Sequence, residues 1–132
     1  MQAADISGRA FKNATAILMA RVFGDAGVAV TIADIASVTY MASLVDESDP
    51  DAREAIEGHD EESLSPADVL FDTLQRDPRW TADTIGYNFL HQPDRSSSEI
   101  FATAGTKIIV EYRLTPTDGG QVIVFRFKIT VV

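Results

Sequence analysis

The C-terminal stretch from Gly105 to Val132, GTKIIVEYRLTPTDGGQVIVFRFKITVV, limits the fold more than any other part of the chain. Apolar side chains alternate with a more polar set from Ile108 to Leu114 and again from Ile123 to Val131. A period of two is typical of a half-buried β-strand, because successive side chains point to opposite faces. The residues at 116–120, Pro-Thr-Asp-Gly-Gly, favour a turn between the two runs. The pattern predicts a long antiparallel hairpin with one apolar face.

The register of this hairpin follows from keeping its apolar residues together. Pairing Leu114 with Gln121 and continuing outward places apolar residues opposite each other on one face, whereas a slip of one residue mixes the two faces. This register sets Glu111 diagonal to Arg126. A two-stranded hairpin alone is only marginally stable in water. The apolar face therefore requires a second layer from the rest of the chain.

Length and composition bound the class of protein. With 132 residues we expect a single domain over 1–132, large enough for a hydrophobic core. The chain has no cysteine, which excludes disulfides and thiolate metal sites. No apolar run approaches the ~20 residues of a membrane helix, and the N-terminus lacks the apolar stretch of a secretion signal. We therefore expect a soluble protein made in a cytoplasm, without a membrane partner or a cofactor.

The charge of the chain is concentrated in one segment. Of the net charge of −9, nine acidic residues and one arginine between Asp46 and Glu62 supply −8. Because no Lys/Arg cluster is visible in the sequence, we expect no nucleic-acid partner. Residues 46–64 are predicted to be a mobile, solvated loop. A weak contact with calcium or with a partner is the alternative, although the spacing lacks the D-x-D-x-D-G pattern and its glycine.

The N-terminal half contains further strand candidates. Residues 1–13 show no periodicity and are predicted to be a flexible arm. The apolar run at 14–23 is assigned as a buried strand, with a short helix as the alternative, because strand-like runs follow it directly at 28–32 and 37–45. In the last of these, apolar residues again alternate with a second set.

One helix is predicted at about residues 65–76. Ser65 is a suitable N-cap, Pro66 suits the first helical position, and Asp77-Pro78 ends the segment. Residues 86–90, GYNFL, are predicted to form another strand. Strands joined by short turns around a single helix indicate a mainly β protein, an antiparallel β-sandwich with one inserted helix.

No residue constellation indicates catalysis. His59 lies in the acidic segment and His91 ends a predicted strand, close in sequence to the serines at 96–98. A nucleophile–base pair needs a serine beside a histidine and an orienting carboxylate, and no G-x-S-x-G elbow is present. We therefore predict a non-enzyme and assign no catalytic, cofactor or metal residue. An enzyme acting through His91 is the least favoured hypothesis.

Three aromatic residues near strand ends allow a second interpretation. Trp80, Tyr87 and Phe89 are candidates for a platform that stacks on a sugar ring. Aromatic residues in such positions more often belong to the core. We prefer the core assignment and keep the sugar platform as the alternative.

The segments TADTIGYNFLHQPD and AGTKIIVEYRLTPTDGGQVIVFRFKITVV together resemble the second half of immunoglobulin-like modules of tailed-phage virion proteins, such as the N-terminal domain of the baseplate upper protein. The matching positions are Asp83, Gly86, Tyr87, Phe89, Gly105, Tyr112, Gly119 and the strand from Val122 to Val132. The residues at 14–46 are similar to the first strands of such modules. The helix at 65–76 and the acidic segment depart from the pattern.

The resemblance implies an immunoglobulin-like β-sandwich with a structural role. The expected function is a non-enzymatic assembly protein of a phage-type virion, located in the tail, the baseplate or the capsid and made in the host cytoplasm. Its expected partners are other copies of itself or other virion subunits. The alternative is a β-sandwich module that binds carbohydrate or another ligand.

Overall fold

The fold is mainly β, with two sheets packed as a sandwich and one short helix, as predicted. A computed structural model describes residues 4–10, 17–24, 27–46, 49–56, 61–76, 78, 80, 84–92 and 105–132. The strands are β1 (Ala4–Ala10), β2 (Leu18–Ala20), β3 (Ile35–Asp46), β4 (Asp49–Ala55), β5 (Glu62–Leu64), β6 (Leu70–Gln75), β7 (Tyr87–His91), β8 (Lys107–Pro116) and β9 (Ile123–Val131). A 3-10 turn spans Ile32–Asp34, and the helix α1 spans Pro66–Val69.

The larger sheet has six strands and the smaller sheet has three. The larger sheet runs β1-β9-β8-β3, and both β4 and β5 pair with the far edge of β3. The smaller sheet runs β2-β7-β6. Neighbouring strands are antiparallel except for β1, which pairs with β9 in parallel. This arrangement is consistent with an immunoglobulin-like sandwich.

The core lies between the two sheets and is rich in aromatic residues. Inward and outward residues alternate along β9 and most of β3 and β8, as the sequence pattern predicts, although Ser43 and Ile109 are buried on the outward side. At the centre, the Phe89 ring of β7 meets Tyr112 of β8 and Phe125 of β9, with ring centroids 4.7 and 5.0 Å away. Both contacts are edge-to-face, which suits the quadrupoles of the rings. One continuous cluster of buried residues thus joins the sheets.

The C-terminal hairpin is confirmed, but its predicted register is wrong by two residues. Leu114 pairs with Ile123 rather than with Gln121. A shift of two residues leaves every side chain on its original face, so the apolar pattern cannot distinguish the two registers. Turn geometry decides instead: residues 115–122 lie outside the β8–β9 ladder, and Gly119 turns the chain with a φ of 78°. Glu111 consequently lies directly opposite Arg126.

The predicted helix begins where expected but ends early. It opens at Pro66 and stops at Val69, and Leu70–Gln75 form the strand β6 instead of further helical turns. Leu70 has an extended backbone and pairs with Phe89 of β7. The reason is a tertiary contact. The backbone of β7 forms hydrogen bonds with this segment, and an extended Leu70 can bury its side chain in the core.

Two segments predicted to lack regular structure contain strands. Residues 4–10, within the predicted arm at 1–13, form β1 along the edge of β9. The predicted acidic loop at 46–64 contains β4 and β5, which pair with β3. Sequence periodicity misses such edge strands, because backbone pairing with a neighbour can hold them without an apolar face. Residues 1–3, 11–13, 47–48 and 57–60 lie outside the described part of the chain.

Candidate assembly surface

Within the part of the chain that the structure describes, the larger sheet ends on strands that have an unpaired side. β1 occupies one edge and, among these residues, pairs only with β9. At the other edge, β4 and β5 each pair with β3, and neither has another partner strand among the described residues. Unpaired strand edges present backbone N–H and C=O groups that can pair with another chain. Both edges of this sheet are therefore chemically suited to contacts with neighbouring subunits.

The outer face of β8 and β9 carries a basic surface that the linear sequence does not reveal. Every charged residue of these two strands lies on the face directed away from the core. They are Lys107, Glu111, Arg113, Arg126 and Lys128. Four cations and one carboxylate give a net charge of +3 in a chain whose total is −9. Pairing of the two strands brings together residues that are far apart in sequence, and we call this set the basic face.

The Glu111 carboxylate contacts two of these cations, Arg113 and Arg126. Glu111 Oε2 accepts a hydrogen bond from Arg113 Nε at 3.1 Å, and Glu111 Oε1 lies 3.0 Å from Arg126 Nε. The second contact is an ion pair without a well-directed hydrogen bond, since Arg126 Nε has no partner of good hydrogen-bond geometry. The Glu111 side chain is only 13% exposed, whereas that of Arg113 is 61% exposed. Arg113 therefore keeps most of its side-chain surface in contact with solvent.

The acidic strands of the larger sheet do not extend the basic face, because Glu54 pairs with Leu44 and Glu62 with Tyr40, on the core-facing side of β3. The basic strands β9 and β8 are followed by β3, whose outward residues at 37, 39, 41, 43 and 45 are uncharged. Beyond β3 lie β4 and β5, which belong to the segment of net charge −8 between Asp46 and Glu62. Among the side chains described there, Glu54, Glu61 and Glu62 are exposed. With strands about 4.8 Å apart, the step from β9 to β4 is about 14 Å.

A cavity of about 310 Å³ opens at the end of the sandwich. It lies between the Gly24–Val30 segment and the β8–β9 turn, and its wall includes Asp34, Asp118 and the exposed Val28. Both carboxylates accept local backbone hydrogen bonds. Asp34 accepts one from Thr31 N at 3.0 Å, and Asp118 accepts one from Gly120 N at 2.9 Å. These bonds stabilise the turns that carry them.

His91 lies at the rim of the aromatic core. Its Nδ1 is 2.8 Å from the hydroxyl oxygen of Tyr112, and its ring packs edge-on against Tyr40 at 4.9 Å. Burial raises the pKa of Tyr112 well above 10.0, because the phenolate would lose its hydration. Tyr112 is therefore a neutral partner for the imidazole. His59 and the serines at 96–98 lie outside the described residues, so the hypothesis of an enzyme acting through His91 stays untested.

The aromatic trio proposed as a sugar platform is divided by the fold. Phe89 is fully buried in the core, and Tyr87 is also buried. Trp80 is half-buried and its ring lies 5.7 Å from that of Tyr87, which in turn contacts Phe71. The core assignment is confirmed for Phe89 and Tyr87. A sugar ring cannot stack on either of them without a rearrangement.

Asn88 is a structural residue that sequence reasoning missed. Its side chain is buried, and its Oδ1 accepts a hydrogen bond from Val22 N at 2.7 Å. Its Nδ2 donates to Val22 O at 2.9 Å and to Val30 O at 3.1 Å. These bonds fasten the Val22–Val30 segment to β7. An asparagine between two large aromatics inside an apolar strand was the available signal, since a buried amide requires partners.

The described residues give no sign of a metal centre or of a membrane-spanning helix. No group of three or more His, Asp or Glu side chains within them converges on one point. No helix in this part of the chain is long and apolar enough to cross a bilayer. Much of the acidic segment lies beyond these side chains, so the weak calcium contact stays a prediction.

Comparisons of the chain with protein-family models, with curated proteins and with solved structures found no match. Any function must therefore be inferred from the residues and surfaces of the molecule itself.

Proposed function

We propose that this chain is a non-enzymatic assembly protein that acts through protein–protein contacts in a phage-type virion, in the tail, the baseplate or the capsid. The observation that carries the proposal is the larger sheet, which among the described residues has an unpaired side at β1 and another at β4 and β5. Its partners are other copies of the chain or other subunits of the particle. Placement in a virion rests on the resemblance of the strand and turn pattern to immunoglobulin-like modules of tailed phages.

The chemistry of the surface supports an assembly role. Open strand edges supply backbone hydrogen bonds, while oppositely charged surfaces supply orientation and partner choice. Val122, immediately before β9, adds an exposed apolar side chain to the surface of the molecule. Interfaces of this kind combine an apolar centre with polar surroundings.

The direct test is the composition of purified particles. We expect mass spectrometry of gradient-purified virions from the source cells to find this chain at a fixed ratio to the other structural proteins. An abundant cytoplasmic enzyme measured in the same fractions is the control for carry-over. The proposal is refuted if the chain remains in the soluble fraction while particles lacking it are complete.

Hydrogen exchange gives a second test on the isolated and assembled protein. We expect the amides of Val122 and Val124 to exchange more slowly after assembly, because the outer side of the last strand becomes covered. Equal exchange of both amides in the free and assembled states would exclude this part of the surface from the contact. The amide of Phe89, in the core strand β7, serves as an internal reference.

A further inference from the structure

We infer that two copies of the chain pair through their β1 strands, antiparallel about a two-fold axis at Ser7, so that the larger sheet continues from one copy into the other. This contact rests on the proposed assembly function and specifies one interface within it. Its basis is the register of β1 on β9, together with the residues that this register places at the edge of the sheet.

The two edges of the larger sheet differ in how well they can pair with a second copy. β4, with the sequence DPDAREA, contains a proline, three acidic residues and one arginine, and its register against β3 shifts at Val45/Asp46. Two such edges would repel each other. β1, with the sequence ADISGRA, has no proline, one acid balanced by one base, and a continuous register over seven residues. Proline, an irregular register and charge of one sign all block edge-to-edge pairing, and β1 has none of them.

Symmetry limits how two β1 strands can pair. A two-fold axis perpendicular to the sheet keeps every residue on its own face, so residues that lie opposite each other must belong to the same face. An axis at Ser7 pairs all seven residues of the strand, whereas an axis at Ile6 or Gly8 leaves two residues of each strand without a partner in β1. The pairs about Ser7 are Ala4 with Ala10, Asp5 with Arg9, and Ile6 with Gly8. The longest ladder therefore sets the one acid of β1 against the one base, twice.

The same register extends a row of alternating charges across the sheet. Glu111 of β8 lies opposite Arg126 of β9, and Arg126 is aligned with Asp5 of β1. Within one copy the row ends on this acidic residue, at the edge of the sheet. The second copy adds its Arg9 beside Asp5, so the alternation continues across the contact. Opposite charges on neighbouring strands stabilise their pairing.

The row that contains Arg9 lacks an acidic residue on the strands next to β1. Arg9 is aligned with Thr130 of β9, and Thr130 is paired with Lys107 of β8. In the two-fold dimer, Arg9 gains Asp5 of the second copy as its neighbour. Each copy thus supplies the charge that the other lacks, and both contacts form at once. A two-fold interface is closed, so the product is a dimer rather than an open fibre.

A single cysteine at the axis tests the contact directly, because the chain has no cysteine of its own. Opposite residues of an antiparallel pair have Cα atoms about 4.5–5.5 Å apart, which a disulfide can span. We expect the full chain with Ser7→Cys, oxidised with diamide, to form a covalent dimer at least about tenfold faster than the chain with Ser37→Cys. Ser37 is exposed in β3 and is the matched control. Equal rates for the two variants overturn the inference.

Charge reversal tests the register. Asp5→Arg sets arginine against arginine at both ends of the ladder, and Arg9→Asp sets aspartate against aspartate. We expect either change to raise the dimer Kd about tenfold or more, measured by analytical ultracentrifugation across concentration. Arg76→Asp changes an exposed charge outside the larger sheet and is the control for Arg9→Asp, so its Kd should stay within about twofold of wild type.

The double variant Asp5→Arg/Arg9→Asp separates the contact between copies from effects within one copy. Residues 5 and 9 of one strand lie about 13 Å apart, beyond the Debye length of about 8 Å, so coupling between them reports the opposite strand. We expect the double variant to pair about tenfold more tightly than either single variant. Circular dichroism of each variant checks that the sandwich is folded.

The outcomes separate this interface from the proposed function. A wild-type monomer at every concentration up to about 1 mM overturns the inference. A double variant that pairs no more tightly than the single variants also overturns it. Neither result bears on whether the chain is present in particles, which decides the proposed function separately.

Discussion

Replacement of Asn88 by alanine tests how the Val22–Val30 segment is held on the smaller sheet. Only 1% of the Asn88 surface is exposed, and its amide makes three hydrogen bonds to the backbone of that segment. The substitution removes all three bonds without introducing a clash. Val22 O keeps another donor, Val30 N, at 3.1 Å.

The magnitude follows from the two groups that lose this partner, Val22 N and Val30 O. A buried polar group left unsatisfied costs about 1–3 kcal/mol, so we expect the free energy of unfolding to fall by about 2–6 kcal/mol. Water that enters the vacated space brings the loss toward the lower figure. Because a domain of this kind is stable by only about 5–15 kcal/mol, the effect is a large part of the total.

The assay is urea unfolding followed by Trp80 fluorescence and by circular dichroism, combined with hydrogen exchange. Gln121→Ala is the control, since it removes a similar amide from an exposed position and should cost less than about 0.5 kcal/mol. We also expect the Val22 amide to lose its protection in the Asn88 variant. If Asn88→Ala and Gln121→Ala unfold at the same urea concentration, and Val22 stays protected, the assigned role of Asn88 is wrong.

Two further predictions concern a glycine and a buried tyrosine. Gly86 has a φ of 114°, and a Cβ there would lie 2.4 Å from Gln75 O, so Gly86→Ala should cost about 2 kcal/mol or more in urea unfolding. Gly119 also has a positive φ, but a Cβ there would meet open space, so Gly119→Ala should lower the free energy of unfolding by about 1 kcal/mol. Equal losses for the two variants would contradict the clash at Gly86. The raised pKa of Tyr112 means that folding favours the neutral phenol. The resulting contribution to the free energy of unfolding is complete below pH 10 and falls as the pH rises above it. Tyr112→Phe should flatten this alkaline decline, and unfolding titrations from pH 8 to 11 that show the same slope in both proteins would refute the assignment.

The sequence predicted the strands that have one buried face. Alternation in β3, β8 and β9 identified which side chains enter the core, and the structure confirms this face for Tyr40, Tyr112 and Phe125. The reason is that a period of two is a local property, visible without knowledge of the neighbouring strands. The β7 strand was also predicted, within residues 86–90, although the role of Asn88 in it was not.

The errors fall where a neighbouring strand decides the outcome. Residues 4–10 and 49–55 have little apolar alternation, yet both pair with a strand of the larger sheet. Residues 70–75 follow a correctly predicted helix start, but they form a strand because they pair with β7. The hairpin register was displaced by two residues, because a shift of that size leaves the apolar pattern unchanged.

The basic face of β8 and β9 could not be predicted from the sequence alone. The linear chain has no basic cluster, since Lys107 and Lys128 are separated by a whole hairpin. Antiparallel pairing of β8 and β9 places Glu111 opposite Arg126 and gathers the cations on one face.

By itself the sequence determined a β-sandwich, the inward face of its long strands and the position of the acidic segment, because these depend on local alternation and composition. Only the tertiary structure decided which strands lie at the sheet edges, which register the hairpin adopts and where positive charge collects. Those features depend on contacts between residues far apart in the chain. In a β protein such contacts are made by the backbone as much as by the side chains, and the backbone is the same at every residue except proline.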